Sequence, residues 1–404
     1  MIKVVCLTAS GVIHDHHGWF NNMAKNPHID LTAIIAPNWP YHRGGTSFFK
    51  SLFGTYKSVN ADEMYFNKKD RVYEIIKKMP LFPGKTFYFY PTLFFMLNRL
   101  NPDVIHISCE PEYAILTQTI LWKKLFRKKT KIVVFTHENM YYPYKDRLFY
   151  NLFIYKVLER FNLKNFDGAT LATNEVGGLL RLKGFHKPTI VVGNQVDVDF
   201  FKKKDVSKLK KRLGFKDEIV IGYFSRIEES KGILTIIRAL GKIKDKKFKL
   251  LVVGRCEEDF MIELKEKISS VGITDKVVFV SEVPRKEVVD YMNCSDMIIM
   301  GGLSTKTWVE QFGRVNAESM ACEVPVIGSS SGGIPEAVSE GGLIFKEDND
   351  EDLKNKIGKL MEDAGLRKKL GKLGRQRVLN NYSNKKSAEN TLKLFERLLH
   401  KKLF

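Results

Sequence analysis

Glu310 and Glu318 bracket the run Glu310-Gln311-Phe312-Gly313-Arg314-Val315-Asn316-Ala317-Glu318, with seven residues between them. In a continuous helix of about 3.6 residues per turn the two carboxylates would share a face. Gly313 points to another arrangement, a tight turn that leaves Glu310 on a loop and carries Glu318 into a helix. The backbone N–H groups of 312–314 then open that helix and face outward, where an anion is stabilised. An ionised carboxylate accepts hydrogen bonds from hydroxyl groups. The run therefore offers two polyol contacts and a phosphate cradle, chemistry suited to a nucleotide-sugar.

Two further motifs flank it. Upstream, Gly222-Tyr223-Phe224-Ser225-Arg226-Ile227-Glu228-Glu229-Ser230-Lys231-Gly232 places two cations after an apolar run. Downstream lies Gly332-Gly333-Ile334-Pro335-Glu336. Together they resemble the Arg-x4-Lys-Gly, Glu-x7-Glu and Gly-Gly-x-Pro-Glu signatures of retaining glycosyltransferases of family 4, closely in the C-terminal half and loosely in the N-terminal half. The resemblance implies a GT-B fold and assigns roles. Arg226 and Lys231 would take the donor diphosphate, Glu318 the ribose and Glu310 the hexose, while the backbone of Phe312, Gly313 and Arg314 approaches sugar or phosphate. Val283, with Pro284, would edge the base pocket. His137, which closes the run Ile132–Thr136, would stand at the reaction centre. Ser10-Gly11 falls where the family has a glycine loop, but the common form is Gly-Gly, so only Gly11 carries over. In that family the leaving phosphate is thought to help deprotonate the acceptor, so no side-chain base is assigned. The donor is a nucleoside diphosphate sugar, UDP first by family frequency. No metal or other cofactor is required.

The elements that must hold these residues are legible as short apolar runs: Lys3–Leu7, Leu31–Ala36, Val104–Ser108, Ile132–Thr136, Ala169–Ala172 and Thr189–Val192, then Ile219–Phe224, Lys249–Val253, Val277–Val280, Met297–Met300 and Pro325–Ile327. Continuous runs of this length, alternating with helical stretches, predict parallel strands buried on both faces. The fold class is α/β, two doubly wound Rossmann-like domains facing a central cleft. The expected boundaries are 1–205 for an acceptor domain, 206–381 for a donor domain, and 382–404 for a C-terminal helix crossing back to the first.

The chain of 404 residues carries a net charge of +20, divided evenly between residues 1–200 and 201–404 at +10 each. Such an excess fits anionic small molecules or an anionic membrane surface. No nucleic-acid signature accompanies it, and nucleic acid is not expected. Aromatics interleave with cations at 47–53, 85–99 and 121–129, which suits the interface of an anionic leaflet, and equally the core of the first domain. The five cysteines form no C-x-x-C pair and read as reduced thiols of a cytoplasmic protein. No run approaches a membrane span. His14, His16 and His17 share one loop without metal-ligand spacing, and acceptor contact is the reading preferred. Asp348 and Asp350 precede a helical stretch, whose N-terminus they complement. The acceptor expected is a lipid-linked or envelope glycan, with the enzyme on the inner membrane face. The rival readings are an epimerase or hydrolase of nucleotide-sugars on the same fold and a non-catalytic basic binding protein.

Overall fold

The computed structural model describes residues 1–8, 13–35, 71–74, 79–80, 88–89, 93–140, 153–306 and 308–403. Its strands are β1 Ile2–Thr8, β2 Ile29–Ile35, β3 Arg71–Glu74, β4 Met79–Pro80, β5 Tyr88–Phe89, β6 Val104–Ser108, β7 Lys131–Thr136, β8 Gly168–Leu171 and β9 Thr189–Val191, followed by β10 Ile219–Phe224, β11 Phe248–Val253, β12 Val277–Val280, β13 Met297–Met300, β14 Val326–Ser329 and β15 Gly342–Phe345. Seven of them form one sheet in the order β3-β2-β1-β6-β7-β8-β9, and six form another in the order β12-β11-β10-β13-β14-β15. Every pairing within both sheets is parallel.

Both sheets are doubly wound, as the alternating runs predict. The direction of winding reverses between β1 and β6 in the first and between β10 and β13 in the second. Chain segments leaving the carboxyl ends of those strands diverge to opposite faces and open a crevice. The strands read as unbroken apolar runs because both faces are covered: β6 is buried at all five positions. The edge strands β3 and β15 escape the sequence reading. β15 is half-buried at Gly342, Leu343 and Ile344, so it lacks the full apolar signal of a central strand.

The helix Asn384–Leu399 lies against the first domain. Ala388, Leu392, Leu394, Phe395 and Leu398 share a core with Val4, Cys6, Trp19 and Phe135, and Trp19 Nε1 donates to Thr391 Oγ1 at 3.1 Å. Full burial of a Leu or Phe stabilises by about 1.5–3 kcal/mol, so this stripe ties the end of the chain to its beginning. Packing passes from the first core to the second ahead of residue 205, since Val196 and Phe201 lie in the second core.

Candidate active site

The winding reversal of the second sheet gathers two of the motifs. Leaving β10, the chain passes Arg226, makes one tight turn over Glu229–Lys231 and reaches Gly232 at φ 68°. A Cβ there would sit 1.9 Å from the carbonyl oxygen of Gly301, so only glycine lets this loop press on the segment leaving β13. The Leu303 N–H donates to Ser230 O at 2.9 Å and fastens the two. Lys231 is thereby buried, 9% exposed. Its Nζ lies 3.2 Å from Glu310 Oε2 and 3.5 Å from the centroid of the Trp308 ring. Burial pulls the Lys231 ammonium below its ordinary range, and the Glu310 carboxylate opposes that shift. Arg226 is 68% exposed and pairs with Glu228 at 3.2 Å.

Glu310 stands on the loop and Glu318 within the helix Arg314–Ala321, with Gly313 between them in the left-handed region at φ 68°. The Gly313 N–H donates to Glu310 Oε1 at 3.2 Å. One of the three amides expected to face an anion is thus engaged by the chain's own carboxylate. Glu318 is buried and meets Arg285 at 3.0 Å and Arg314 at 3.5 Å. The Phe312 side chain is wholly buried, edge-on to Tyr382 at 4.9 Å, so only its backbone is available to a ligand. Val283 packs on the second core. Arg285 and Trp308 were absent from the sequence reading, and Asn139 carried no role in it; Arg285 two residues beyond Val283, Trp308 two before Glu310 and Asn139 two after His137 are signals that could have found them.

From the first domain, His137 follows β7 with its side chain 27% exposed and Nδ1 3.8 Å from Glu110 Oε1. Glu110, just beyond the end of β6, accepts from the Thr136 hydroxyl and from the His137 N–H. Two residues on, Asn139 Nδ2 donates to the carbonyl of Glu310 at 3.0 Å, which also accepts from Gly333 N at 2.9 Å. The Glu310 loop is therefore held jointly by both domains. A second clasp lies beside it, where the Asn174 backbone N–H and side chain donate to the Glu336 carboxylate at 2.8–2.9 Å. Burial raises the Glu175 carboxyl, and a hydrogen bond from Asn139 opposes the shift.

Ser10 and Gly11 lie outside the described residues; His14, His16 and His17 fall in the helix Ile13–Ala24 and not on a loop, and their side chains lie outside the description. Asp348 is engaged by Arg238 and by Thr235 Oγ1, and Asp350 by Lys242 at 3.1 Å. Asn349 caps the helix Asp350–Glu362. Cys6, Cys109, Cys294 and Cys322 are buried free thiols, and Cys256 is partly exposed. Among the described residues no helix is long and apolar enough to cross a membrane.

Residues 205–377, which contain Arg226, Lys231, Glu310 and Glu318, match the family model for glycosyl transferases group 1. N-acetyl-alpha-D-glucosaminyl L-malate synthase of Bacillus anthracis is 27% identical over 298 residues, covering 72% of this chain and 73% of its own length. These likenesses support a group 1 glycosyltransferase. The capsular polysaccharide biosynthesis glycosyltransferase CapM of Staphylococcus aureus is 32% identical over 172 residues, 42% of this chain and 43% of that one. In architecture the chain is similar to Anabaena HepE, solved in complex with UDP, with a TM-score of 0.71 at 18% identity, over 98% of this chain and 100% of that one. The likeness across nearly the whole length shows the GT-B fold, including the first domain that the family model does not reach.

Proposed function

We propose that the protein is a retaining glycosyltransferase that moves a hexose-type sugar from a nucleoside diphosphate sugar to a hydroxyl of a lipid-linked or cell-envelope glycan. The observation that carries this reading is the meeting of Lys231 and Glu310 at 3.2 Å where the second sheet reverses its winding. A cation for the diphosphate and an acceptor for sugar hydroxyls stand side by side at the place where α/β sheets bind ligands. Arg226 reaches into solvent, where it meets the diphosphate as the donor enters. Glu318 takes the ribose, and His137 faces the anomeric carbon from the other domain. Retention rests on the family resemblance. UDP is the first choice of base, a choice favoured by the UDP complex of a protein with the same architecture.

A thermal-shift series with UDP-, GDP- and ADP-sugars tests the donor site. One nucleotide class should raise the melting temperature, and the product should keep the donor's anomeric configuration by NMR. Stabilisation by none of them overturns the reading. Because the carboxylates of Asp348 and Asp350 are engaged by Arg238 and Lys242, the diphosphate charge falls to Arg226, Lys231 and backbone amides, and transfer should survive EDTA.

For the acceptor, the supporting feature is a face of the first domain. Phe95, Leu125 and Phe126 are 69%, 68% and 51% exposed on the helices Leu93–Leu100 and Ala114–Phe126. Arg99 on the first of these helices, and Lys124, Arg127, Lys128 and Lys129 next to Leu125 and Phe126 in the chain, are exposed as well. Exposed apolar side chains interleaved with cations suit an anionic leaflet of a membrane on which the enzyme is peripheral. The helix Ala114–Phe126 runs from the cleft end of β6 to the opposite end of the sheet, and its 13 residues span about 20 Å at about 1.5 Å per residue. An enzyme seated on this face would hold its cleft well away from the lipid, which favours an extended glycan over a bare headgroup as acceptor.

A further inference from the structure

Lys231 meets an aromatic face as well as a carboxylate. Its Nζ, and not merely its alkyl stem, lies 3.5 Å from the Trp308 ring centroid. The residue is 9% exposed, so water is largely withdrawn from the ammonium. The negative face of an indole replaces part of that hydration, and tryptophan does so better than phenylalanine or tyrosine. The loop carrying the ring is itself held. The Thr305 N–H donates to Trp308 O at 2.7 Å, and Leu303 N to Ser230 O at 2.9 Å. Ser304 Oγ lies 2.9 Å from Ser331 Oγ. Two residues after Trp308 the same loop delivers Glu310, so one segment brings both the carboxylate and the ring to the ammonium.

We propose that Trp308 is a positioning residue for Lys231, its indole face holding the ammonium beside Glu310 and ready for the diphosphate of a donor. The inference rests on the reading of Lys231 as the diphosphate ligand. A free lysine side chain loses rotamer freedom when it binds a ligand, and that loss opposes affinity. Here the ring and Glu310 have confined the side chain before the ligand arrives. Glu310, Arg226 and Glu228 are the charged groups that act on the Lys231 ammonium.

Two measurements on the full chain test this. The first is UDP affinity by calorimetry for wild type, Trp308→Phe and Trp308→Leu. Leucine keeps apolar bulk without a ring, and phenylalanine keeps a weaker ring. Trp308→Leu should weaken UDP about tenfold, equivalent to about 1.4 kcal/mol, and Trp308→Phe should recover most of the loss. Equal losses in the two variants, or none, overturn the proposal, since packing alone would not distinguish ring from alkyl. The second needs no ligand: the rate at which an amine-acylating reagent labels Lys231, read by peptide mass at fixed pH. Loss of the ring should raise that rate, because the charged amine is less stabilised and less covered. An unchanged rate in Trp308→Leu overturns the proposal even if UDP binds normally. A raised rate in a protein that binds no UDP leaves the ring's hold on Lys231 intact and removes the donor reading instead.

Discussion

On the rim of the second domain, Lys231 is pinned between Glu310 and Trp308, and Gly232 presses against Gly301. On the rim of the first, His137 is 27% exposed with the Glu110 carboxylate 3.8 Å away. The first arrangement is assembled before any ligand arrives; the second leaves a side chain room to adapt. On the proposed reading the second rim takes one invariant group, a diphosphate with its ribose, and such a rim gains from preorganisation. The first rim, on the same reading, meets an acceptor and gains from looser contacts, which the chemistry of each acceptor can then define. The family match follows the same division, covering 205–377 and stopping short of the first sheet.

The comparison breaks most easily at Lys231. Replacing it with alanine removes a charged hydrogen-bond partner and leaves the Glu310 carboxylate without its cation, which should cost about 1.5–3 kcal/mol of donor affinity, roughly 10–150-fold. Glu318→Gln should fall at the lower end of that range, since the amide still accepts a hydrogen bond while Arg285 and Arg314 lose their counter-charge. Calorimetry with UDP, with circular dichroism to check the fold, decides both. Wild-type affinity in both variants would remove the assignment of the second rim.

The pH dependence of donor binding sharpens the same point. On the proposed reading the donor diphosphate binds the protonated amine, and burial holds the Lys231 pKa below its ordinary range. Affinity should therefore be retained on the acid side and decline as pH rises, with a midpoint below that of an exposed lysine. In Lys231→Arg the guanidinium stays charged, and the alkaline decline should disappear. A decline that persists in this variant assigns the titration to another group.

Asn139 crosses from one rim to the other and should have a smaller effect. Losing its hydrogen bond to the Glu310 carbonyl should cost about 0.5–1.5 kcal/mol, read as a raised donor KM with melting temperature little changed. A raised KM would show that the preorganised rim depends on the looser one; an unchanged KM would make the two independent. The smallest effect concerns the exposed face of the first domain. Phe95→Ser with Leu125→Ser should reduce binding to anionic vesicles at low salt while sparing transfer to a soluble acceptor. Vesicle binding that ignores salt and both substitutions would discard the membrane contact and leave the transferase reading standing. Phe94 is the wrong residue for this test, because it packs on the first core, edge-on to Phe126 at 6.0 Å.

Much of this was legible in the residue order. Central strands buried on both faces announce themselves as unbroken apolar runs, and β10, β12 and β13 fall where Ile219–Phe224, Val277–Val280 and Met297–Met300 were read. Glycines with positive φ at 232 and 313 mark turns that other residues would strain, so the motif loops could be placed from sequence. What the order of residues could not contain was distance across the fold. Lys231 and Glu310 are 79 positions apart, and Asn139 and Glu310 are 171 apart. Their meeting depends on where the sheets reverse their winding and how the two domains lie together. The composition of the 85–99 and 121–129 segments was visible at once, yet it could not say which aromatics face water; helix packing buried Trp122 and left Phe95 and Leu125 outside. Local propensity and spacing determine which residue types occupy a loop or a strand, because those depend on neighbours in the chain. Which side chains share a charge, which ring covers an amine and which apolar face stays bare are decided by contacts between segments, and only the tertiary structure brings those segments together.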